Sequence, residues 1–316
     1  MVEVVAITGA TGFIGRRVAL HLLEKGYKVV ALARRADQAL EQAGATLVQG
    51  ALEDRDSLNR LVAQAGTVIH CAGAIKASNE ATFHEINGAG TARLAAAANS
   101  TPRSDLGRRR FLLISSLAAR EPGLSAYARS KRQGEDGLAQ EDGLERCVLR
   151  PPAVYGPGDR ATLALFRQMA RGWLMTPRVS DGRFSLLYVQ DLAAAVEHLL
   201  RQSSWDSSLL ELDDGWQGGY DWPALAAIGS RLLGRPVRRL AVPFGMLWVP
   251  AQLNRWLARA VGYAPVLTPG KLRELYHPDW VARGGSSQLL ADWHAEVDFE
   301  AGFPRTLRWY RDQGWI

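Results

Sequence analysis

Apolar and polar positions along the first half of the chain predict strand, turn and helix in regular succession. Residues 2–7, with Val2, Val4, Val5, Ala6 and Ile7, form a mostly apolar run of strand length. The glycine-spaced turn Thr8-Gly9-Ala10-Thr11-Gly12-Phe13-Ile14-Gly15 follows, and helical periodicity continues to about Lys25. Residues 27–33 predict a second buried strand ending on Arg34-Arg35, and residues 46–50 a third, short one. Leu52-Glu53-Asp54 then leads into a helix with Asp54 and Asp56 as N-cap candidates. A fourth strand runs into the small-residue turn Cys71-Ala72-Gly73, a helix covers roughly residues 80–99, a fifth strand (111–114) ends on Ser115-Ser116, and a sixth covers 147–150. Buried strands alternating with helices predict an α/β fold with a parallel sheet.

The alternation stops near residue 150. Residues 151–159 read as a rigid loop, 182–189 as a hairpin-like segment, 191–201 as a helix and 209–212 as a strand, and this part is expected to form a lobe over the C-terminal edge of the sheet. The expected division is a dinucleotide-binding domain at 1–160, rejoined by segments near 183–203, and a mainly substrate-binding lobe at 161–316. Residues 244–261 carry an apolar helical stripe interrupted by Pro250, with Arg255 and Arg259 beside it. Four readings compete for it: core helix, substrate lid, dimer contact, or a helix lying on a membrane surface. Core or lid is favoured.

Composition narrows the class. A hydrophobic fraction of 47% with 22% charged residues excludes disorder, and 316 residues suffice for a substantial core. The net charge is +6, with basic residues scattered apart from Arg108-Arg109-Arg110, which read as a solvated loop; nucleic acid is not an expected partner. Cys71 and Cys147 lie in apolar runs and predict buried thiols in a reducing, cytoplasmic setting. No targeting segment is expected ahead of the first strand, no run of eighteen apolar residues could span a membrane, and no metal site is expected. Of ten tryptophans, those after residue 200 are expected to fill the core of the smaller lobe, with residues 309–316 docked back onto it.

The chemistry concentrates at strand ends. Gly9, Gly12 and Gly15, in GxxGxxG rather than GxGxxG spacing, would allow a tight turn, close approach of a pyrophosphate and close helix packing. Arg34 and Arg35, with no acid before Asp37, favour NADP(H) over NAD(H). His70 reads as a packed core residue. Beyond Ser116, Tyr127 and Lys131 stand four apart in Tyr-Ala-Arg-Ser-Lys, so a helix would point phenol and ammonium into one space.

Together these segments, with Asn87-Gly88-Ala89-Gly90-Thr91, Arg150-Pro151 through Gly158 and Leu187 to Ala193, resemble the extended short-chain dehydrogenases/reductases, the NAD(P)-dependent epimerase/dehydratase family. The resemblance implies a Rossmann doubly wound parallel sheet of about seven strands with a smaller C-terminal α+β substrate lobe. It implies that Ser116 and Tyr127 are the catalytic hydroxyls, that Lys131 holds the nicotinamide ribose, and that Pro151, Ala153 and Val154 line the nicotinamide. It extends the cofactor set to Thr11, Phe13, Ile14, Leu52, Asp54, Cys71, Ala72, Gly73, Asn87 and Ser115. A homodimer through the helices before and at Tyr127 is common in the family. Leu117-Ala118-Ala119-Arg120 replaces the usual Val-Tyr-Gly after the serines, which argues against a nucleotide-sugar substrate; the C-terminal segment looks more like the steroid and dihydroflavonol branch. The expected activity is NADP(H)-dependent hydride transfer to or from a small, apolar carbonyl compound or secondary alcohol. The alternatives are a nucleotide-sugar epimerase or dehydratase with tightly bound cofactor, and a non-catalytic NADP-binding regulatory or assembly protein.

Overall fold

The computed structural model describes residues 3–102, 107–205, 207–261, 263–265, 267–284 and 288–316. Val2 lies outside them, as does the side chain of Arg259. The first 150 residues give β1 (Val4–Thr8), α1 (Phe13–Glu24), β2 (Lys28–Ala33), α2 (Gln38–Gln42), β3 (Thr46–Gln49), α3 (Arg55–Ala63), β4 (Thr67–His70), α4 (Glu80–Phe83), α5 (Gly90–Ser100), β5 (Arg110–Ile114), α6 (Ala126–Ala139) and β6 (Glu145–Arg150). A π-helical stretch, His84–Ala89, joins α4 to α5, so the helix expected at 80–99 is not uniformly α. After β6 come β7 (Ala153–Tyr155), α7 (Leu163–Ala170), β8 (Trp173–Pro177), β9 (Arg183–Phe184), β10 (Leu186–Tyr188), α8 (Val189–Arg201), β11 (Ser208–Glu211), α9 (Trp222–Leu233), β12 (Arg238–Val242), α10 (Phe244–Val261), α11 (Pro269–Leu275), β13 (Asp279–Trp280) and α12 (Phe299–Asp312).

The chain divides into two compact units. The first comprises Met1–Arg150, Leu192–Leu210 and Gly285–Trp293; the second comprises Pro151–Asp191, Glu211–Gly284 and His294–Ile316. The division falls between Arg150 and Pro151, and residues 183–191 lie in the second unit.

A seven-stranded sheet runs in the order β11-β6-β5-β4-β1-β2-β3, with the pairs from β6 to β3 parallel. Its central strands are buried on both faces, which is why they read as unbroken apolar runs: Ile7 pairs with Ile69, Ile69 with Leu112, and Leu112 with Cys147. Val30, Leu32, Phe111 and Leu113 pack in an aliphatic core with Leu58, Leu61 and Leu94 from the helices. Strand order reverses at β1, with β2 and β4 on its two sides, and in open α/β sheets such a switch point opens a crevice at the strands' C-terminal ends.

The second unit corrects several expectations. Residues 151–159 are not loop throughout, because β7 pairs in parallel with β10. The segment at 182–189 is not a hairpin: β9 pairs with β13 and β10 with β7, so neighbouring strands find distant partners. The strand expected at 209–212 is β11, an edge of the large sheet rather than part of the smaller lobe. The core is aromatic, with Phe166 stacked on Phe303 at 5.2 Å and Tyr310 edge-on to Phe166 at 5.4 Å. Trp315 stacks on Tyr310 and meets Trp309 edge-on, so the C-terminal segment docks onto this core. Three tryptophans depart from the expected role. Trp205 is fully buried in the first unit, Trp293 also belongs to that unit, and Trp256 on α10 is 66% exposed.

The triplet Arg108-Arg109-Arg110 is not a solvated loop. Arg109 is buried and donates to the carbonyls of Ala65 (3.1 Å), Thr101 (3.0 Å) and Ala98. Arg110 donates to Leu200 O and Gln202 O at 3.0 and 3.1 Å, pairs with Glu3, and lies over Trp205. These carbonyls end helices, and a guanidinium there meets both the unpaired acceptors and the negative end of the helix dipole. The apolar stripe of α10 is not core: Met246, Val249, Leu253, Trp256 and Leu257 are exposed, while Ala251 and Ala258 face inward.

Candidate active site

The glycine turn after β1 is shaped for an anion. Gly9 takes φ +75°, and a Cβ there would lie 2.5 Å from the Ala72 nitrogen; a Cβ on Gly15 would lie 2.3 Å from Gly9 O. Gly12 is the N-cap of α1 and offers no side-chain cap, and the first turn carries no acid, so the amides of that turn stay open to a ligand. Thr11 is exposed there and Phe13 and Ile14 are half-buried. This cradle fits the pyrophosphate of a dinucleotide.

At the end of β2, Arg34 and Arg35 are exposed, and among the described residues neither has an ion pair. Asp37 is occupied: Arg16 pairs with its carboxylate, which also accepts from Leu40 N at 3.2 Å as the N-cap of α2. Asp54 caps α3, accepting from the amides of Asp56 and Ser57, and these bonds hold its carboxyl below the usual carboxylate range. Leu52 is buried in the aliphatic core. Cys71 and Cys147 are free thiols, each pushed up to about 12 by burial.

A directed chain of hydrogen bonds fixes the turn after β4. The Thr91 hydroxyl donates to Asn87 O at 2.7 Å, so it accepts from His70 Nε2–H at 3.0 Å. His70 Nδ1 then accepts from the Thr8 hydroxyl at 2.5 Å, and Ala72 N–H donates to the Thr8 oxygen at 3.4 Å. Burial lowers the His70 pKa to about 3 and keeps the ring neutral, which makes it a core residue, as its place in a strand predicts. The Asn87 side chain completes the lock, accepting from Ala74 N (2.7 Å) and donating to Ala74 O (3.0 Å) and Ser130 Oγ (2.9 Å). A Cβ on Gly73 would crowd Asn87 Oδ1 at 3.2 Å and stand 3.8 Å from Lys131 Nζ.

Helix α6 starts from a Ser125 N-cap and places Tyr127, Lys131 and Glu135 on one face. Lys131 is buried and donates to Ile114 O at 2.8 Å, at the end of β5. Burial lowers its pKa to about 8, against the attraction of Glu135 and Cys71. Tyr127 is half-buried, with its ring edge-on to Phe83 at 6.0 Å. Ser116 caps a 3-10 turn, Leu117–Arg120, by accepting from Ala118 N at 3.2 Å. The adjacent Ser115 hydroxyl donates to Glu135 at 2.5 Å, and Glu135 is also bonded by Arg150 Nε at 2.8 Å. Ser115 is therefore held by a buried ion pair; sequence reasoning missed Glu135 and, though it noted Arg150, gave it no role. The signal was present, because Glu135 continues the four-residue spacing of Tyr127 and Lys131. Pro151, Ala153 and Val154 lie in the second unit, on and just before β7.

The chain matches the NAD dependent epimerase/dehydratase family over residues 5–208. It is 35% identical over 316 residues to a ceramide reductase of Caulobacter vibrioides, covering 99% of this chain and 96% of that protein. It is 29% identical over 178 residues to a 4-hydroxy-2-methyl-3-oxo-4-farnesyl-3,4-dihydroquinoline-1-oxide ketoreductase of Stigmatella aurantiaca, covering 50% of this chain and 52% of that one. Among solved structures, gox2253 superposes with a TM-score of 0.74 at 21% identity, covering 99% of each chain, and MoeE5 in complex with UDP-glucose and NAD with 0.71 at 19%, covering 98% and 99%. At those identities the structures speak for the fold. With the family matched over most of the Rossmann sheet and the ceramide reductase over nearly the whole length, the chain belongs to the NAD-dependent epimerase/dehydratase family and is an NAD(P)-dependent oxidoreductase of the extended short-chain dehydrogenase/reductase type.

Proposed function

We propose that this protein reduces a ketone carried by a long-chain, ceramide-like lipid, using NADPH in preference to NADH. The observation that carries the reading is the placement of Lys131. Its ammonium is buried, anchored to the end of β5 two residues before Ser116, and one helical turn beyond Tyr127.

When bound, the nicotinamide supplies a hydride to the carbonyl carbon. The Ser116 hydroxyl, whose oxygen already accepts from Ala118 N–H, keeps its proton for a hydrogen bond to the carbonyl oxygen. Tyr127 passes its phenolic proton to that oxygen as negative charge builds on it. Lys131 favours the phenolate left behind and holds the ribose. Gly9, Gly12, Gly15 and the open amides of α1 hold the pyrophosphate. Arg34 and Arg35 bind the 2′-phosphate, and the pairing of Asp37 with Arg16 removes the nearest carboxylate that would favour a 2′-hydroxyl.

The substrate class rests on the relatives. By their names, the C. vibrioides protein acts on ceramide and the S. aurantiaca protein on a 3-oxo compound bearing a farnesyl group. The test is turnover of long-chain 3-oxo amides with NADPH in the wild type and in Tyr127→Phe. The variant is expected to lose roughly a thousandfold in kcat while its affinity for NADPH stays nearly unchanged. Turnover restricted to nucleotide sugars, or an active Tyr127→Phe, would overturn the assignment.

A further inference from the structure

The second unit carries an apolar face with no covering element among the described residues. On α10, Met246, Val249, Leu253, Trp256, Leu257 and Val261 are each between 56% and 69% exposed. At 100° per residue they form one continuous stripe, and the two fully buried residues, Ala251 and Ala258, lie opposite it. Strand β12 leads into α10 through Pro243 alone. Leu240 of that strand is also exposed and pairs with the exposed Met175 of β8.

The charged residues within β8, β12 and α10 themselves are all basic. Residues 222–273 contain eight Arg and Lys and no Asp or Glu, and residues 160–180 contain four Arg and no acid. Together these stretches supply β8, β12 and α10. The rest of the chain has more acids than bases. Arg171, Arg178, Arg238 and Arg239 are exposed, and among the described residues none of them has an ion pair.

We propose that the outward face of α10, flanked by β8 and β12, docks on an anionic lipid bilayer, with its apolar stripe in the headgroup region and the arginines on lipid phosphates. The helix lies on the membrane rather than crossing it: among the described residues, no helix is long and apolar enough to span. A second copy of the chain is the weaker occupant. Pairing this face with itself would bring the arginines of β12 and α10 from both copies together, with no acid in those elements to neutralise them. The inference goes beyond the reductase reading and does not depend on it.

Sedimentation of the full-length protein with vesicles tests the proposal without reading turnover. Vesicles of phosphatidylcholine with added phosphatidylglycerol are expected to pellet the protein, and phosphatidylcholine alone to pellet much less. Leu253→Glu/Trp256→Glu should lower partition roughly tenfold or more. Arg238→Glu/Arg239→Glu should remove the preference for phosphatidylglycerol, as should high salt. NADPH binding by each variant checks that it is folded. The proposal falls if wild type stays in the supernatant with both vesicles, or if Leu253→Glu/Trp256→Glu sediments like wild type. It also falls if vesicles have no effect while that variant converts a wild-type dimer to monomer, which would make the face a contact between copies.

Discussion

Arg109 and Arg239 are the same side chain beside or within a short strand, yet their surroundings are opposite. Arg109, one residue before β5, is 3% exposed and spends its donors on three carbonyls at the ends of α3 and α5. Arg239, in β12, is exposed and has no ion pair among the described residues. The contrast extends to the units that hold them. In the first unit, inward polar groups hydrogen-bond one another in the Ser115–Glu135–Arg150 cluster and the Thr8–His70–Thr91 chain. In the second, apolar and cationic groups face outward together on α10 and β12. A guanidinium becomes structural where helix C-termini converge on it, and remains available for a partner where none do.

Removing Arg109 should break the first half of that comparison. Arg109→Ala leaves the buried carbonyls of Ala65 and Ala98 and the half-buried one of Thr101 without this donor, and a loss of about 3 kcal/mol in urea unfolding is expected. A loss below about 1 kcal/mol would mean that water replaces the guanidinium.

Lys131 tests the same matching where function works against it. Its folded pKa of about 8 lies below the ordinary lysine value, so between about pH 8 and 10.5 the unfolded chain binds the extra proton and stability from this group rises with pH. Below pH 8 the buried charge is a net cost. Lys131→Met should therefore abolish turnover yet raise the stability of the cofactor-free protein at pH 7 by about 2 kcal/mol. The difference between the two proteins' melting temperatures should shrink as pH rises through 8 toward 10. A variant destabilised at pH 7 would contradict this sign.

Arg34, exposed in the first unit and with no ion pair among the described residues, sharpens the comparison through the 2′-phosphate role proposed for it. For Arg34→Ala, titration should show a roughly tenfold loss of NADPH affinity with NADH affinity unchanged; equal effects on both would remove the 2′-phosphate role. The smallest effect is expected at β12. Arg238→Ala/Arg239→Ala should change unfolding free energy by no more than about 0.5 kcal/mol, since both side chains are exposed and neither has an ion pair among the described residues.

Much of the candidate site was legible because it is written in short spacings. Gly9 and Gly15 sit six residues apart in one turn, and Tyr127 and Lys131 four apart on one helix, so local geometry alone brings each pair together. The tautomer of His70 and the capture of Ser115 by Glu135 were not legible. They depend on Thr91 and Arg150, which come from other elements.

The sequence by itself determined the six strands as far as β6 and the helices between them except α2, the glycine cradle, and the helix carrying Tyr127 and Lys131, because periodicity and turn chemistry act over a few residues. Only the tertiary structure decided that β11 completes the large sheet, that β9 and β10 part company, that Arg110 meets a carbonyl 90 residues away, and that the stripe of α10 faces outward. Each of these turns on a partner, or on the lack of one, supplied by a remote segment, and a local pattern of apolar and polar residues carries no record of which remote segment will arrive.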